Sequence, residues 1–197
     1  MRVFSIGHST RTVPELLQLL SNYQVTSLAD VRSFPHSYRN PQFNKESIEL
    51  DLSRNGIHYF WLNKLGGRRK GLGSASKNTC WRNKSFRGFA DYMETDQFLE
   101  GIQELIQLTS GEVVAIMCAE AVYWSCHRLM IADYLKSKGI EVTHILDETH
   151  SKEHEYNALD LLMENSLTVR ESNSACCRSL RNMVLNMGSQ NADLRRQ

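Results

Sequence analysis

Compact apolar runs alternate along this chain with segments whose apolar residues recur every three to four positions. Val3-Phe4-Ser5-Ile6-Gly7 reads as a first strand. Thr12 and Glu15 form a capping-box pattern with Pro14 in the first turn, and Leu16, Leu17, Leu19 and Leu20 give the helix behind it an apolar side to about Asn22. Residues 25–31 are the next β-rich run. Asn44 to Arg54 carries Ile48 and Leu52 four apart, with Gly56 as its stop. Ile57 to Leu62 is rich in aromatic and β-branched residues and predicts a third strand. A polar, glycine-bearing stretch follows over 63–85. Phe86 to about Thr109 predicts helix in two pieces, Glu112 to Met117 a fourth strand, 126–138 a helix ended by Gly139, and Glu141 to Leu146 a fifth strand. A further helix is expected over 157–165. Beyond it the pattern dissolves into Ser, Asn and Arg.

Strands that alternate with helices imply an α/β fold: a mainly parallel sheet with helices on both faces, a Rossmann-like three-layer arrangement. A single domain over 1–165 and a polar tail over 166–197 are expected. The composition, 41% hydrophobic and 23% charged, fits a globular protein. No apolar run approaches the roughly 20 residues of a membrane span. The odd count of five cysteines gives no disulfide framework, and the opening residues lack a signal-peptide core, so a cytoplasmic setting is expected.

In a parallel sheet the strand C-termini share one rim, where ligands bind. The first strand ends in Gly7, His8, Ser9 and Arg11, the second in Asp30 and Arg32, and the third runs into Gly66, Gly67 and Arg68. The fourth delivers Cys118 and Glu120. Cys126, His127 and Arg128 open the helix behind it, where the backbone dipole favours a thiolate. Asp30, Glu120, Cys118, Cys126 and His127 are the candidate catalytic groups. Plain structural roles compete with these: Asp30 paired with Arg32, Cys118 as a small core hydrophobe, His127 pointing to solvent, Glu120 in an internal ion pair with Arg32 or Arg128, and, beside them, His8 as a loop brace.

Net charge is only +1, but its distribution is uneven. No Asp or Glu lies between Asp51 and Asp91, an interval that holds nine of the 23 Lys and Arg residues, with Trp81 and Phe86 among them. Cations interleaved with aromatics suit a phosphate-bearing ligand with a base to stack. The loop with Ser37, Arg39 and Asn44, together with Tyr59, supplies further binding candidates.

Several of these short motifs resemble the domain-of-unknown-function family numbered 488. They are Ile6-Gly7-His8-Ser9-Thr10-Arg11, Asp30-Val31-Arg32 followed by Pro35 and Ser37, Gln42-Phe43-Asn44, Gly56-Ile57-His58-Tyr59, Leu65-Gly66-Gly67-Arg68, Met117-Cys118-Ala119-Glu120, and Cys126-His127-Arg128 followed by His144-Ile145. The resemblance spans about residues 3–147. It implies an α/β fold and an intracellular protein, and it implies no particular reaction.

Three functions compete. The first is an enzyme acting on a nucleotide or nucleic acid, in its most concrete form one that hydrolyses a base–sugar N-glycosidic bond through Glu120 or Asp30. The second is thiol chemistry at Cys118 or Cys126, transferring sulfur, alkyl or phosphoryl groups, although the Cys-to-Arg loop lacks glycine. The third is a non-catalytic nucleic-acid-binding module. Cys118, Cys126, His8 and His144 are the candidate metal ligands, but no C-x-x-C or H-x-x-x-H spacing supports them, so no metal or other cofactor is expected.

Overall fold

A computed structural model describes residues 1–156; the expected helix over 157–165 and the polar tail lie outside the described residues. The strands are β1 (Arg2–Gly7), β2 (Ser27–Asp30), β3 (His58–Trp61), β4 (Val114–Cys118), β5 (Glu141–Ile145) and β6 (Ser151–Glu153). The helices are α1 (Val13–Asn22), α2 (Lys45–Arg54), α3 (Lys84–Met93), α4 (Asp96–Leu108) and α5 (Arg128–Ser137).

The strands form one sheet in the order β3-β2-β4-β1-β5-β6. The first five are mutually parallel, so their C-terminal ends share one edge. The α/β architecture and the five predicted strands are therefore as expected. The sixth strand was not legible: three residues, all exposed, pair antiparallel with β5, and they carry no apolar alternation. The central strands β2 and β4 are buried along their whole length, and β4 accordingly runs apolar from Val114 to Cys118.

The capping box reads as the sequence predicts: the Thr12 hydroxyl accepts from the Glu15 N–H at 3.4 Å and the Glu15 carboxylate accepts from the Thr12 N–H at 2.6 Å. It aims α1 so that Leu16, Leu19 and Leu20 meet Ile6, Leu28, Ala115 and Met117 of the sheet, with Ile48 and Leu52 of α2 beside them. Each such side chain contributes about 1.5–3 kcal/mol on burial. The alternate residues Val3, Ala29, Val114 and Ile116 are equally buried, so the opposite sheet face is covered too. Phe98 of α4 and Tyr134 of α5 meet edge to face, their centroids 5.2 Å apart. Asn44 precedes α2 as expected, but its side chain makes no cap bond; it accepts from the Ser37 N–H at 2.7 Å and ties the preceding loop.

The chain divides into two compact units. One holds Met1–Arg68 and Thr95–His154, and therefore the whole sheet; the other contains Arg69–Glu94. In the second unit Asp91 of α3 gathers the 72–78 loop, accepting from the Leu72 N–H at 2.9 Å, the Ser76 hydroxyl at 2.6 Å and the Asn78 amide at 2.9 Å. Arg87 donates to the Trp81 carbonyl at 3.0 Å, and Trp81 stacks on Phe86 with centroids 5.4 Å apart.

Candidate active site at the strand ends

The end of β1 is fastened directly to the segment leaving β4. His8 N–H donates to the Cys118 carbonyl at 3.0 Å, and Ser9 N–H, at a positive φ of 47°, donates to the Ala119 carbonyl at 2.9 Å. A Cβ on Gly7 would lie 1.9 Å from the Glu120 carbonyl oxygen, so only glycine permits this approach. Arg11, a predicted binding residue, donates instead to the carbonyls of Gly7 and Leu146 and braces the ends of β1 and β5.

Around β2 lies a closed charge network. Asp30 is fully buried and accepts from Arg32 Nε at 2.9 Å, Arg32 Nη2 at 2.5 Å and the Tyr59 hydroxyl at 2.7 Å. Burial, and then the Asp30 charge, push the Tyr59 hydroxyl well above its ordinary value, so it stays a donor. The imidazole of His8 stacks on Phe43 at 4.2 Å. Its Nδ1–H donates to the Ser9 carbonyl at 3.0 Å, which leaves Nε2 to accept from Arg32 Nη1 at 3.3 Å. Burial, and then Arg32, lower His8 to about 4. Asp30, Arg32, Tyr59 and His8 thus satisfy one another.

A second cluster joins β4 to α5. Cys118 and Cys126 are both buried free thiols. Their sulfurs and His127 Nδ1 all lie within 4.8 Å of one another, with Cys126 Sγ 3.4 Å from His127 Nδ1. Cys118 donates a hydrogen bond to Cys126, which pulls the Cys126 thiol down and pushes Cys118 up. Arg128 is almost wholly buried beneath them, donating to Cys126 Sγ at 3.5 Å, the Ser5 hydroxyl at 3.3 Å and the Glu120 carbonyl at 2.6 Å. Among the described residues no carboxylate accepts from this guanidinium; its donors go to one sulfur and two oxygens. His127 donates from Nε2 to the Val31 carbonyl at 3.0 Å. Gly67 leaves the space for its ring: a Cβ there would fall 2.4 Å from His127 Nδ1. Gly66 does the same for Ser33, whose hydroxyl accepts from the Arg68 N–H at 2.8 Å.

Glu120 is held at its backbone, its carbonyl accepting from Arg128, while its side chain is exposed. It is not in the internal ion pair that the sequence allows. Ser37 accepts from the Asn40 N–H at 3.2 Å and, with Asn44, shapes the loop after β2, where Arg39 is exposed. Lys64 differs from the phosphate-facing expectation, for it pairs with Glu100 at 2.9 Å and Glu104 at 2.8 Å of α4. Trp81 lies in the other unit.

Two features escape the sequence reading. Phe34, Tyr38, Trp61 and Trp124 are exposed, and all lie on segments at or beyond the ends of β2, β3 and β4. Arg68 lies 6.0 Å over the Phe34 ring and Lys45 5.4 Å over Trp61. Separately, His144 Nε2 and His154 Nδ1 lie 3.0 Å apart, and His154 Nε2 meets Asp133 at 2.8 Å. Tyr123 stacks on His144 with centroids 3.5 Å apart, which seats the loop between the two cysteines. Residue type alone marks none of these pairings.

The fold and this rim define an α/β protein with a cysteine–histidine–arginine cluster at the carboxyl ends of a parallel sheet. The family model described as Domain of unknown function DUF488 matches residues 12–135, more than half of the chain, and the chain belongs to that family. The Gly7-His8 motif precedes the matched span, yet the structure joins it to Cys118 and Ala119 inside it. Neither the curated proteins nor the solved structures contain a match.

Proposed function

We propose that this chain is an enzyme acting on a nucleotide or nucleic acid, hydrolysing a base–sugar bond with Glu120 as its acid–base group. The observation that carries the reading is the set of exposed aromatic rings leaving the ends of β2, β3 and β4, two of them beneath cations. Such rings stack bases at about 1–3 kcal/mol each, and the neighbouring cations take phosphate. Glu120 is the available carboxylate, because the oxygens of Asp30 are occupied by Arg32 and Tyr59. The test is a binding and turnover screen against oligonucleotides with modified bases. Phe34→Ala and Trp124→Ala each weaken binding roughly tenfold, while Glu120→Gln binds but does not turn over. Unchanged turnover in Glu120→Gln removes the carboxylate from the mechanism.

Covalent thiol chemistry is the second reading, favoured by the contacts of Cys126 Sγ with Arg128 and His127. It requires a covalent Cys126 adduct with a sulfur, alkyl or phosphoryl electrophile, and intact-mass measurement after mixing decides it. Steeply salt-dependent binding without turnover leaves a non-catalytic nucleic-acid-binding module.

A further inference from the structure

We propose that Cys118 Sγ, Cys126 Sγ and His127 Nδ1 are three ligands of a single zinc-type metal ion. Three observations carry this, and none depends on which substrate the protein takes.

The first is spacing. A tetrahedral zinc ion, with about 2.3 Å to sulfur and about 2.0–2.1 Å to nitrogen, places a sulfur and a nitrogen ligand about 3.5 Å apart and two sulfurs about 3.8 Å apart. Cys126 Sγ and His127 Nδ1 are 3.4 Å apart, and all three donor atoms fall within 4.8 Å. The second is the tautomer. A carbonyl only accepts, so His127 Nε2, 3.0 Å from the Val31 carbonyl, carries the proton and Nδ1 carries the lone pair. A histidine that donates its remote N–H to a backbone carbonyl is the usual outer support of a metal ligand. The third is how the Cys126 sulfur is supported. Arg128 Nε donates to Cys126 Sγ at 3.5 Å, a bond of the kind that stabilises a thiolate ligand.

The ligands come from two elements eight residues apart in sequence, outside any C-x-x-C spacing. β4 ends at Cys118, and the loop returns to place Cys126 and His127 at the start of α5. Among the described residues three ligand atoms converge, the number of protein ligands that catalytic zinc sites use. His8 and His144, the histidines first grouped with these cysteines, lie outside this group of donor atoms: His8 bonds Ser9 and Arg32, and His144 Nε2 faces His154.

The full chain, reduced and freed of metal by chelation, is titrated with cobalt(II) and separately with zinc(II), with no substrate present. The expected result is one ion per chain, with the thiolate charge-transfer band and intense visible bands of tetrahedral cobalt. Cys118→Ser and Cys126→Ser each lose part of the thiolate band and stoichiometric retention. His127→Ala loses retention, and the surface variant His150→Ala leaves it unchanged. Should the cysteine variants fail to fold, the wild-type chain still decides: bound zinc must shield both thiols from alkylation, and chelator must restore labelling. Binding of no ion by the reduced chain overturns the site, as does equal retention in the Cys118→Ser, Cys126→Ser double variant. Because neither readout involves turnover, a failed metal site and a failed glycosidic reaction remain distinguishable.

Discussion

Two polar clusters sit at neighbouring strand ends, and they differ in how they close. At β2, Asp30, Arg32, Tyr59 and His8 satisfy one another inside the protein. At β4 and α5, the donors of Arg128 go to neutral oxygens and one sulfur, while two sulfurs and one imidazole nitrogen converge. A network that exhausts its own hydrogen-bonding capacity holds a fold together. A set of soft donor atoms aimed at one another is arranged for something else. The distinction lies in partners, since ionisable groups occur at both ends.

The most forceful way to break the comparison is Asp30→Asn. The buried Arg32 then keeps its charge without a counterion, and the cost is about 3–5 kcal/mol. Cys126→Ala removes a small side chain from the other cluster and costs about 1 kcal/mol. Urea unfolding of both variants measures the contrast. Equal losses would show that the sulfur cluster is as structural as the ion pair.

Gly7→Ala comes next. Its Cβ meets a backbone oxygen rather than a flexible side chain, at 1.9 Å from the Glu120 carbonyl. The strain of about 1–3 kcal/mol must be relieved by moving the 119–121 segment. The variant therefore loses both stability and turnover, and an alanine tolerated without either loss would contradict the close approach of β1 to this segment.

pH separates the clusters by a smaller amount. Burial foremost holds His8 at about 4 and His144 at about 3, whereas an unfolded histidine takes its proton near 6.5. Below about 6.5 the unfolded chain therefore binds protons that the folded chain refuses. Stability is full above that value, falls as the pH drops through it, and continues to fall down to the folded values. Each histidine contributes a slope of up to about 1.4 kcal/mol per pH unit. Urea midpoints from pH about 7 to about 5 report the slope, and His8→Asn flattens it by up to one proton. An unchanged slope would mean that His8 is not held neutral.

Much of this was legible in the sequence. Periodicity located five strands and the capping box of α1, because burial on both sheet faces leaves continuous apolar runs and a helix terminus needs its own donors and acceptors. Parallel strands then required the motifs to share an edge. What periodicity could not supply was pairing. Asp30 and Glu120 look alike as strand-end carboxylates, yet one is locked by Arg32 and Tyr59 and the other is exposed. Lys64 reads as part of a cationic run, while the acids that neutralise it, Glu100 and Glu104, lie more than thirty residues away on α4. Gly67 marks a loop in sequence and proves to be the space for the ring of His127. β6 left no trace, since an exposed three-residue edge strand needs no apolar face.

The smallest expected change in stability is the most informative about chemistry. Glu120 is exposed, and its backbone carbonyl, rather than its carboxylate, makes the bond to Arg128. Glu120→Gln keeps that backbone and the side-chain shape, so its unfolding free energy stays within about 0.5 kcal/mol of the parent. Asp30→Asn, the same chemical change one strand over, is strongly destabilising. Were Glu120 also a structural carboxylate, the two substitutions would unfold the chain alike. If the Glu120 variant keeps its urea midpoint and its oligonucleotide affinity while turnover disappears, its carboxylate belongs to the reaction and that of Asp30 to the fold.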